Sequence, residues 1–570
     1  MRWNYTPAKP EQAQTLCREL SVTPIIADLL CKRGFVEPSE AESFLNPLLR
    51  NLDDPFNLNQ MDRAVNRLVE AIRGGADIVV FGDYDVDGIT STVLLVSILR
   101  RFGSAPRHLV PRRLDEGYGL SRAAIERVLE GGIPDLLIAV DCGTNAVEEI
   151  EFLHDRGVDT IVVDHHTGRA PLHAESILVN PHVQDDAEHP WADLCSVGLV
   201  FKFVHALLKR MRADGEEEAF RIQLKEYLDL VALGTIADLV PLRGENRILA
   251  KAGLETLRWP RRMGLKALFE ASGMTLGEDV SSFDVSFRLG PRINASGRLA
   301  DASLPIEMLL GEDWRRCDEG ARKLDRLNAE RREIERKIVI EAEKLVESTV
   351  GERAGYVLYN PDWHAGVVGI VASRVARRFN RPCVILGSEG ELAKGSGRSV
   401  PGIDLVEVLR RCEEFLDQWG GHPMAVGLSL HPERCEAFSD AFHESVERVA
   451  GGVLPEPALE IDIWISARDL GEDLLCQIDR LNPFGQGNPE PVFGLRNLVL
   501  NQRPDVFGQG HFRFKVPVDG GRTISGVAWK KANRVPSRDT PIDLAATLSW
   551  NRWNGRKYPQ LTLVDWREHR

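Results

Sequence analysis

No apolar run in this 570-residue chain approaches the roughly 20 residues that a membrane-spanning helix needs. The opening stretch MRWNYTPAKPEQAQ lacks the apolar core of a signal peptide. A soluble, cytoplasmic protein without a membrane partner is therefore expected. The nine cysteines include no CxxC pair and no zinc spacing, which suits a reducing compartment. A GxxxxGK[ST] phosphate loop is missing, as is a GxSxG elbow, so P-loop and serine-hydrolase chemistry have no signature here. Positive charge is also short, and a net charge of −14 argues by itself against a nucleic-acid partner. That shortage is uneven. Between Arg496 and Arg570 fourteen Lys and Arg face six Asp and Glu, a local +8 beside a remainder of −22.

What is present reads as several domains. Residues 1–50 form short helices, with ADLLCKRGF and PSEAESFL as amphipathic candidates. Within 51–311, the runs ADIVVFGD, PDLLIAVD, DTIVVDHH and ESILVN are continuous and apolar, as buried parallel strands are. Helix-like stretches that end in glycine separate them, which predicts a doubly wound α/β domain. Residues 312–350 hold no proline and no glycine after Gly320. Trp314, Cys317, Ala321, Leu324, Ile334, Ile338 and Leu345 recur three and four apart, so one charged helix about 55 Å long should space two domains. A second α/β segment fills 351–455. From 456 to 570, strand-like runs between turn residues predict a small β-barrel, and this basic tail is expected to be removable without unfolding the rest.

Three of the apolar strands end in the same way. VVFG runs into Asp83, Asp85 and Asp87; LLIAV runs into Asp141; TIVV runs into Asp164, His165 and His166. A further acid, Asp238, follows LVALGTIA. In open α/β sheets the carboxyl ends of the strands line the ligand crevice, so these groups should converge. A single Asp after a strand is most often a helix N-cap, and an adjacent His pair is more often a surface accident. Their joint occurrence at three strand ends favours metal. Oxygen donors with one or two imidazoles suit Mn²⁺ or Mg²⁺ better than zinc. The number of donors suits two ions sharing a carboxylate, which activate water and stabilise the leaving oxygen in phosphoryl displacement.

The motifs GDYDVDGITS, VDCGTN, VDHH and GTIADLVPL resemble the four successive motifs of the DHH phosphoesterase superfamily. FRLGPRINASGRL, DWHAGVVGIVASR, GSGRS, GGHPMAVG and LNPFGQGNPEP resemble the segments of its RecJ family of 5′→3′ single-strand-specific DNA exonucleases. The resemblance covers nearly the whole chain. It implies a DHH catalytic domain (51–311), a connecting helix (312–350), a DHH-associated domain (351–455) and an OB-fold nucleic-acid-binding domain (456–570), with 5′-mononucleotides as product and a role in recombination and repair. The family's metal ligands match Asp85, Asp87, Asp141, His165 and Asp238. His166 corresponds to a histidine that faces the scissile phosphate, Asp83 to an acid of RecJ-like members, and Asp164 to a group that orients an imidazole. Gly420, Gly421 and His422 should meet phosphate across the cleft. The sequence departs from the pattern at Ser196 and Pro423, which touches only local loop shape.

Arg288, Arg292 and Arg298 are candidates to stabilise developing negative charge, against the ordinary reading of structural salt bridges; Asn294 lies in the same segment, and His364 sits in the glycine-flanked DWHAG. Ser396 and Arg398 in GSGRS, with Arg113, have the composition of a hook for a 5′-terminal phosphate, against the reading of a turn with a surface arginine. Trp529, Trp550 and Trp553 in the basic tail suit base stacking, although barrel core is the ordinary explanation of at least one. Single-stranded DNA is the expected partner, with a single-strand-binding protein and a repair helicase as candidate protein partners of a monomer. Three competing readings are a phosphodiesterase of short oligonucleotides or cyclic dinucleotides, a non-cutting scaffold and a pyrophosphatase. The first and last would not need the tail, and a scaffold loses metal ligands that are all present here.

Overall fold

The order of strands in the first α/β unit decides where its chemistry sits. In the computed structural model, residues 2–569 are described except 113–115, 118, 169–175, 185–188, 350–352, 519–520 and 554–555. Five parallel strands run in the order Arg107–Leu109, Ile78–Gly82, Leu136–Val140, Asp159–Val163 and Ile177–Val179. The chain steps to one side after Ile78–Gly82 and returns on the other with Leu136–Val140, which makes the gap between their carboxyl ends the switch point. Strand alternation splits the apolar residues cleanly. Val80, Ile138 and Val163 face the helices Val86–Arg101, Ser196–Ala213 and Leu228–Ala237, whereas Phe81, Ala139 and Val162 face Arg122–Glu130 and Val147–His154. The short edge strand Arg107–Leu109 was not legible as a strand, because its RHL carries no apolar run.

The connecting helix is Trp314–Ser348, 35 residues and about 52 Å long. Its buried line passes through Cys317, Ala321, Leu324, Asn328, Glu335, Ile338, Ala342 and Val346, whereas Trp314 and Leu345 are largely exposed. The buried stripe therefore departs from the expected one at both ends. The N-terminal half packs into the first α/β core and the C-terminal half into that of the second, where buried Glu335 meets Arg331 and Arg374. The second unit has a five-stranded sheet in the order Gln418–His422, Ala425–Leu430, Leu392–Arg398, Cys383–Glu389 and Tyr356–Tyr359.

The C-terminal strands form a seven-stranded sheet from Ile463–Trp464 to Asp505–Phe507, and among the described residues no pairing closes it into a barrel. Three short helices, Pro10–Leu20, Pro24–Lys32 and Pro38–Leu45, each begin on a proline whose missing N–H costs nothing at the first helical position. Their apolar faces share one core with this sheet: Leu16, Ile26, Leu29 and Leu30 lie among Leu475, Phe493, Phe512 and Leu544. Arg2–Asn4 also pairs in parallel with Ala458–Glu460. The two ends of the chain thus fold as one body, and the tail is not separable as its composition suggested. Residues 1–455 alone would expose the inner face of those helices. That fragment is expected to aggregate or melt without cooperativity in a circular-dichroism scan; a cooperative melt would show that the helices find another cover.

Candidate metal centre and cleft

The DxDG turn after Ile78–Gly82 packs three acids into five residues. Asp83 is fully buried and Asp85 caps the helix Val86–Arg101, its Oδ1 accepting from the amides of Asp87 (2.9 Å) and Gly88 (3.2 Å). A Cβ on Gly88 would lie 2.5 Å from the Asp83 backbone, so only glycine permits this approach. Asp87 accepts the amides of Ser196 (2.7 Å) and Val197 (2.8 Å) at the start of a second helix. Ser196, a departure from the family pattern, therefore acts here through its backbone. Asp141 ends Leu136–Val140 in a left-handed conformation at φ 64°, and neither of its buried carboxylate oxygens accepts a hydrogen bond from the described residues. Asp238 closes Leu228–Ala237.

These groups meet around His165. Its Nε2 lies 3.5 Å from Asp141, 3.6 Å from Asp238 and 3.9 Å from Asp87. Three overlapping sets each place their donor atoms within 4.8 Å of one another: Asp83, Asp85 and Asp141; Asp87, His165 and Asp238; and Asp141, His165 and His166. Burial, followed by the neighbouring carboxylates, pushes Asp87, Asp141 and Asp238 well above the usual carboxylate range. Burial and His166 push His165 down to about 4. A neutral imidazole among crowded oxygens, with both buried oxygens of Asp141 lacking a donor, fits a pair of hard divalent cations.

Asp164 supports the site from behind. It accepts from the amide of His165 (2.8 Å), from His166 Nδ1 (2.7 Å) and from the Thr144 hydroxyl (2.6 Å). Burial opposes its ionisation, but His166, His165 and Thr144 more than offset this and hold the carboxyl well below its ordinary value. In turn, burial disfavours the charged His166, yet the bond to Asp164 and the surrounding acids raise it to about 9. The two adjacent histidines are thus driven in opposite directions, one toward donation to metal and one toward a retained proton.

A cleft of about 1050 Å³ separates this centre from the second α/β unit. Tyr84, Thr144, Asp164 and His166 line one side, and Ser396, Arg398, Gly420, Gly421 and His422 line the other. Pairing of the strands sets Ser396, Gly427 and Gly420 in one row across three strands, and Arg398, Ala425 and His422 in another. Small residues, Gly395, Ser396, Gly420, Gly421, Ala425 and Gly427, recur along this wall, with Lys394 and Trp419 also lining it. Arg298 bridges the two units by donating to the Gly366 carbonyl (3.0 Å), and His364 Nδ1 accepts from the Gly366 amide (3.1 Å). Pro423, the other departure, keeps its carbonyl bonded to the Leu405 amide (2.9 Å).

Several expected residues are not brought to the cleft lining. Arg288 is tied to Asp284 and the carbonyls of Ser272 and Gly273, and Arg292 to Asp325 and the Arg288 carbonyl. The salt-bridge reading applies to both. Asn294 lies off the cleft lining, with a buried Oδ1 that accepts no hydrogen bond. Trp550 bonds Asp479 (2.8 Å) and flanks the C-terminal core, whereas Trp529 is 53 % exposed beside Phe507 and His511. Arg113 and the side chain of Trp553 lie outside the described residues. Sequence reasoning missed Thr144, Asn180 and His182. Thr144 and Asn180 bond each other and the Asp164–His166 segment, and the His182 ring lies 6.3 Å from that of His165. Asn180 and His182 follow directly on the apolar strand ILV, the same strand-end signal that located the other donors.

The protonation pattern carries a pH dependence. His166 binds its proton more tightly folded than unfolded, so its contribution is full below about pH 6.5 and is lost as the pH rises through about 9. The raised acids act in the same direction, because the fold retains protons that the unfolded chain releases. Chelator-treated protein should therefore lose thermal stability between those limits; a flat or rising melting temperature would contradict the pattern. Asp141→Asn removes charge without losing a hydrogen bond, so it should raise the metal-free Tm near pH 8 and abolish stabilisation by Mn²⁺ in the same calorimetric scan.

Comparisons with known proteins agree with this geometry. The DHH family N-terminal domain matches residues 77–235, the DHHA1 domain 352–448 and the RecJ OB domain 461–565. The single-stranded-DNA-specific exonuclease RecJ of Dickeya dadantii is 36 % identical over 564 residues, covering 95 % of this chain and 96 % of that protein. The protein of the same name from Bacillus subtilis is 35 % identical, with 99 % and 70 % covered. The crystal structure of RecJ from Thermus thermophilus with Mn²⁺ is similar over 100 % of this chain and 80 % of that one, at a TM-score of 0.84 and 31 % identity. The Mg²⁺ complex from the same organism is similar at 0.79 and 30 %, over 100 % of this chain and 79 % of that one.

Proposed function

The chain belongs to the RecJ family, and from that premise we propose that it degrades single-stranded DNA from the 5′ end, releasing 5′-mononucleotides in recombination and repair. The observation that carries this reading is the opposition, across one cleft, of a buried carboxylate–imidazole cluster and a glycine-rich wall that bears Lys394, Arg398 and His422. Asp85, Asp87, Asp141, His165 and Asp238 would hold two Mn²⁺ or Mg²⁺ ions, with Asp83 beside Asp85 and Asp141. When bound, these ions supply a water that ionises near neutral pH and counter-charge for the leaving oxygen. His166, kept protonated by Asp164, directs its other nitrogen at the phosphate and neutralises the charge that develops there. The amides of Gly420 and Gly421, with His422, receive the same phosphate from the opposite side. Arg298 and His364 support the Gly366 turn beside it.

Two ions are indifferent to strand direction, so polarity needs a grip on one end. Ser396 and Arg398, on one face of Leu392–Arg398 within the cleft, suit a terminal phosphate. Farther out, Trp529 with Phe507 and His511 offers stacking faces to the bases, and Trp550 serves the core. The chain acts as a monomer, and the free thiols of all nine cysteines support a reducing, cytoplasmic setting. A single-strand-binding protein and a repair helicase are the proposed protein partners.

Arg398→Ala tests the grip. It should slow digestion of 5′-phosphorylated single strands far more than of 5′-hydroxyl strands, while both remain substrates in the presence of Mn²⁺. Equal losses on the two would remove Arg398 from the hook. Strands labelled at either end, digested with and without chelator, test direction and metal dependence together. Trp529→Ala should weaken binding of long strands, by roughly 1–3 kcal/mol for a lost stacking face, and an unchanged affinity would return Trp529 to the surface background.

A further inference from the structure

The segment LNPFGQGNPEP, residues 481–491, touches neither the cleft nor the cluster, yet it lies directly behind one of the cluster's acids. After Asp238 the chain turns through Leu239, a non-glycine residue at φ 62°, and reaches Pro241, Leu242 and Arg243 before the helix Gly244–Leu257. The C-terminal body holds this turn. The Leu242 amide donates to the Gln486 carbonyl (2.8 Å), and Arg243 Nε donates to the Gly487 carbonyl (3.1 Å). A Cβ at Gly485 would lie 2.8 Å from Leu242 Cδ1. At Gly487, where φ is +72°, a Cβ would lie 3.1 Å and 3.3 Å from the Cβ and Cα of Pro241. Both glycines of GQG are therefore the seat on which the turn rests.

The seat itself is rigid. Asn488 is fully buried, donates to the carbonyls of Leu481 and Pro483 (2.8 Å each), and accepts from Arg33 Nε (2.9 Å). Buried Arg247 donates to the carbonyls of Phe44 (2.7 Å), Leu481 (3.0 Å) and Asn482 (2.9 Å), and stacks on the Phe44 ring at 3.7 Å. Here the N-terminal helices, the C-terminal sheet and the catalytic unit meet.

We propose that residues 485–488 are a positioning device for Asp238: by seating the Pro241–Leu242 turn, the C-terminal body sets the carboxylate that precedes it in the metal centre. The inference rests on reading Asp238 as a metal ligand. It gives the C-terminal body a second task, completion of the metal site, alongside its grip on DNA. Gly485, Gly487 and Asn488 touch no substrate and act only through the turn.

Mn²⁺ binding to the full-length chain, measured by titration calorimetry, tests this apart from activity. Gly487→Ala should weaken Mn²⁺ affinity about tenfold, the scale of outer-shell effects on metal sites. Gly451→Ala imposes a comparable left-handed strain, at φ 64° with nothing within 4 Å, and should leave the affinity unchanged. Asp238→Asn tests the underlying reading: unchanged Mn²⁺ affinity in that variant would overturn both the ligand assignment and the device. A loss in Asp238→Asn with wild-type affinity in Gly487→Ala would overturn the device alone. If Gly487→Ala does not fold, Gly485→Ala, which presses only on the Leu242 side-chain end, takes its place. It should show a smaller loss than Gly487→Ala predicts, and wild-type affinity there would equally overturn the device.

Discussion

Carboxylates brought together away from water repel one another, and the surroundings of this cluster can be understood as ways of holding them despite that repulsion. Asp87 is tethered by two amides at a helix start, and Asp85 by the cap of the helix that it begins. Asp141 has no such tether and is held by a strand end in a left-handed conformation. The cost of assembling them falls on the metal-free fold, and binding of cations offsets it. Backbone hydrogen bonds, helix ends and the parallel sheet are thus organised around charges that do not stabilise one another.

The same logic separates His165 from His166. Adjacent residues at one strand end are driven in opposite directions, because burial and the neighbouring His166 disfavour a proton on His165, whereas Asp164 and the surrounding acids favour one on His166. A two-residue stretch thereby supplies a neutral ligand and a retained proton. Across the cleft the requirement is different. The facing wall must allow a phosphate close to the backbone, which explains the small residues at Gly395, Ser396, Gly420, Gly421, Ala425 and Gly427 on its three paired strands.

The rest of the molecule keeps these two surfaces in register. The connecting helix belongs to both cores, with a buried Glu335 flanked by two arginines where the apolar stripe breaks. The C-terminal body joins the catalytic unit through the turn after Asp238 and through Arg247, and it borrows the first three helices to complete its own core. A residue near position 30 and one near position 490 therefore influence the same joint.

Local pattern was enough to read the buried parallel strands, the long helix and the acids and imidazoles at the strand ends, because hydrophobic periodicity and strand-terminal polarity are properties of neighbouring residues. The resemblance carried by the motifs then extended this to family and chemistry. Tertiary structure alone decided what each arginine of one short segment does: Arg298 joins the two α/β units at Gly366, whereas Arg288 and Arg292 are taken up by Asp284 and Asp325. It also decided which tryptophan remains exposed and where the apolar stripe of the long helix is broken by Asn328 and Glu335. Most of all, it decided that residues 10–45 and 463–563 share one core. No local pattern contains that pairing, because apolar faces specify that they need cover and not which distant segment provides it.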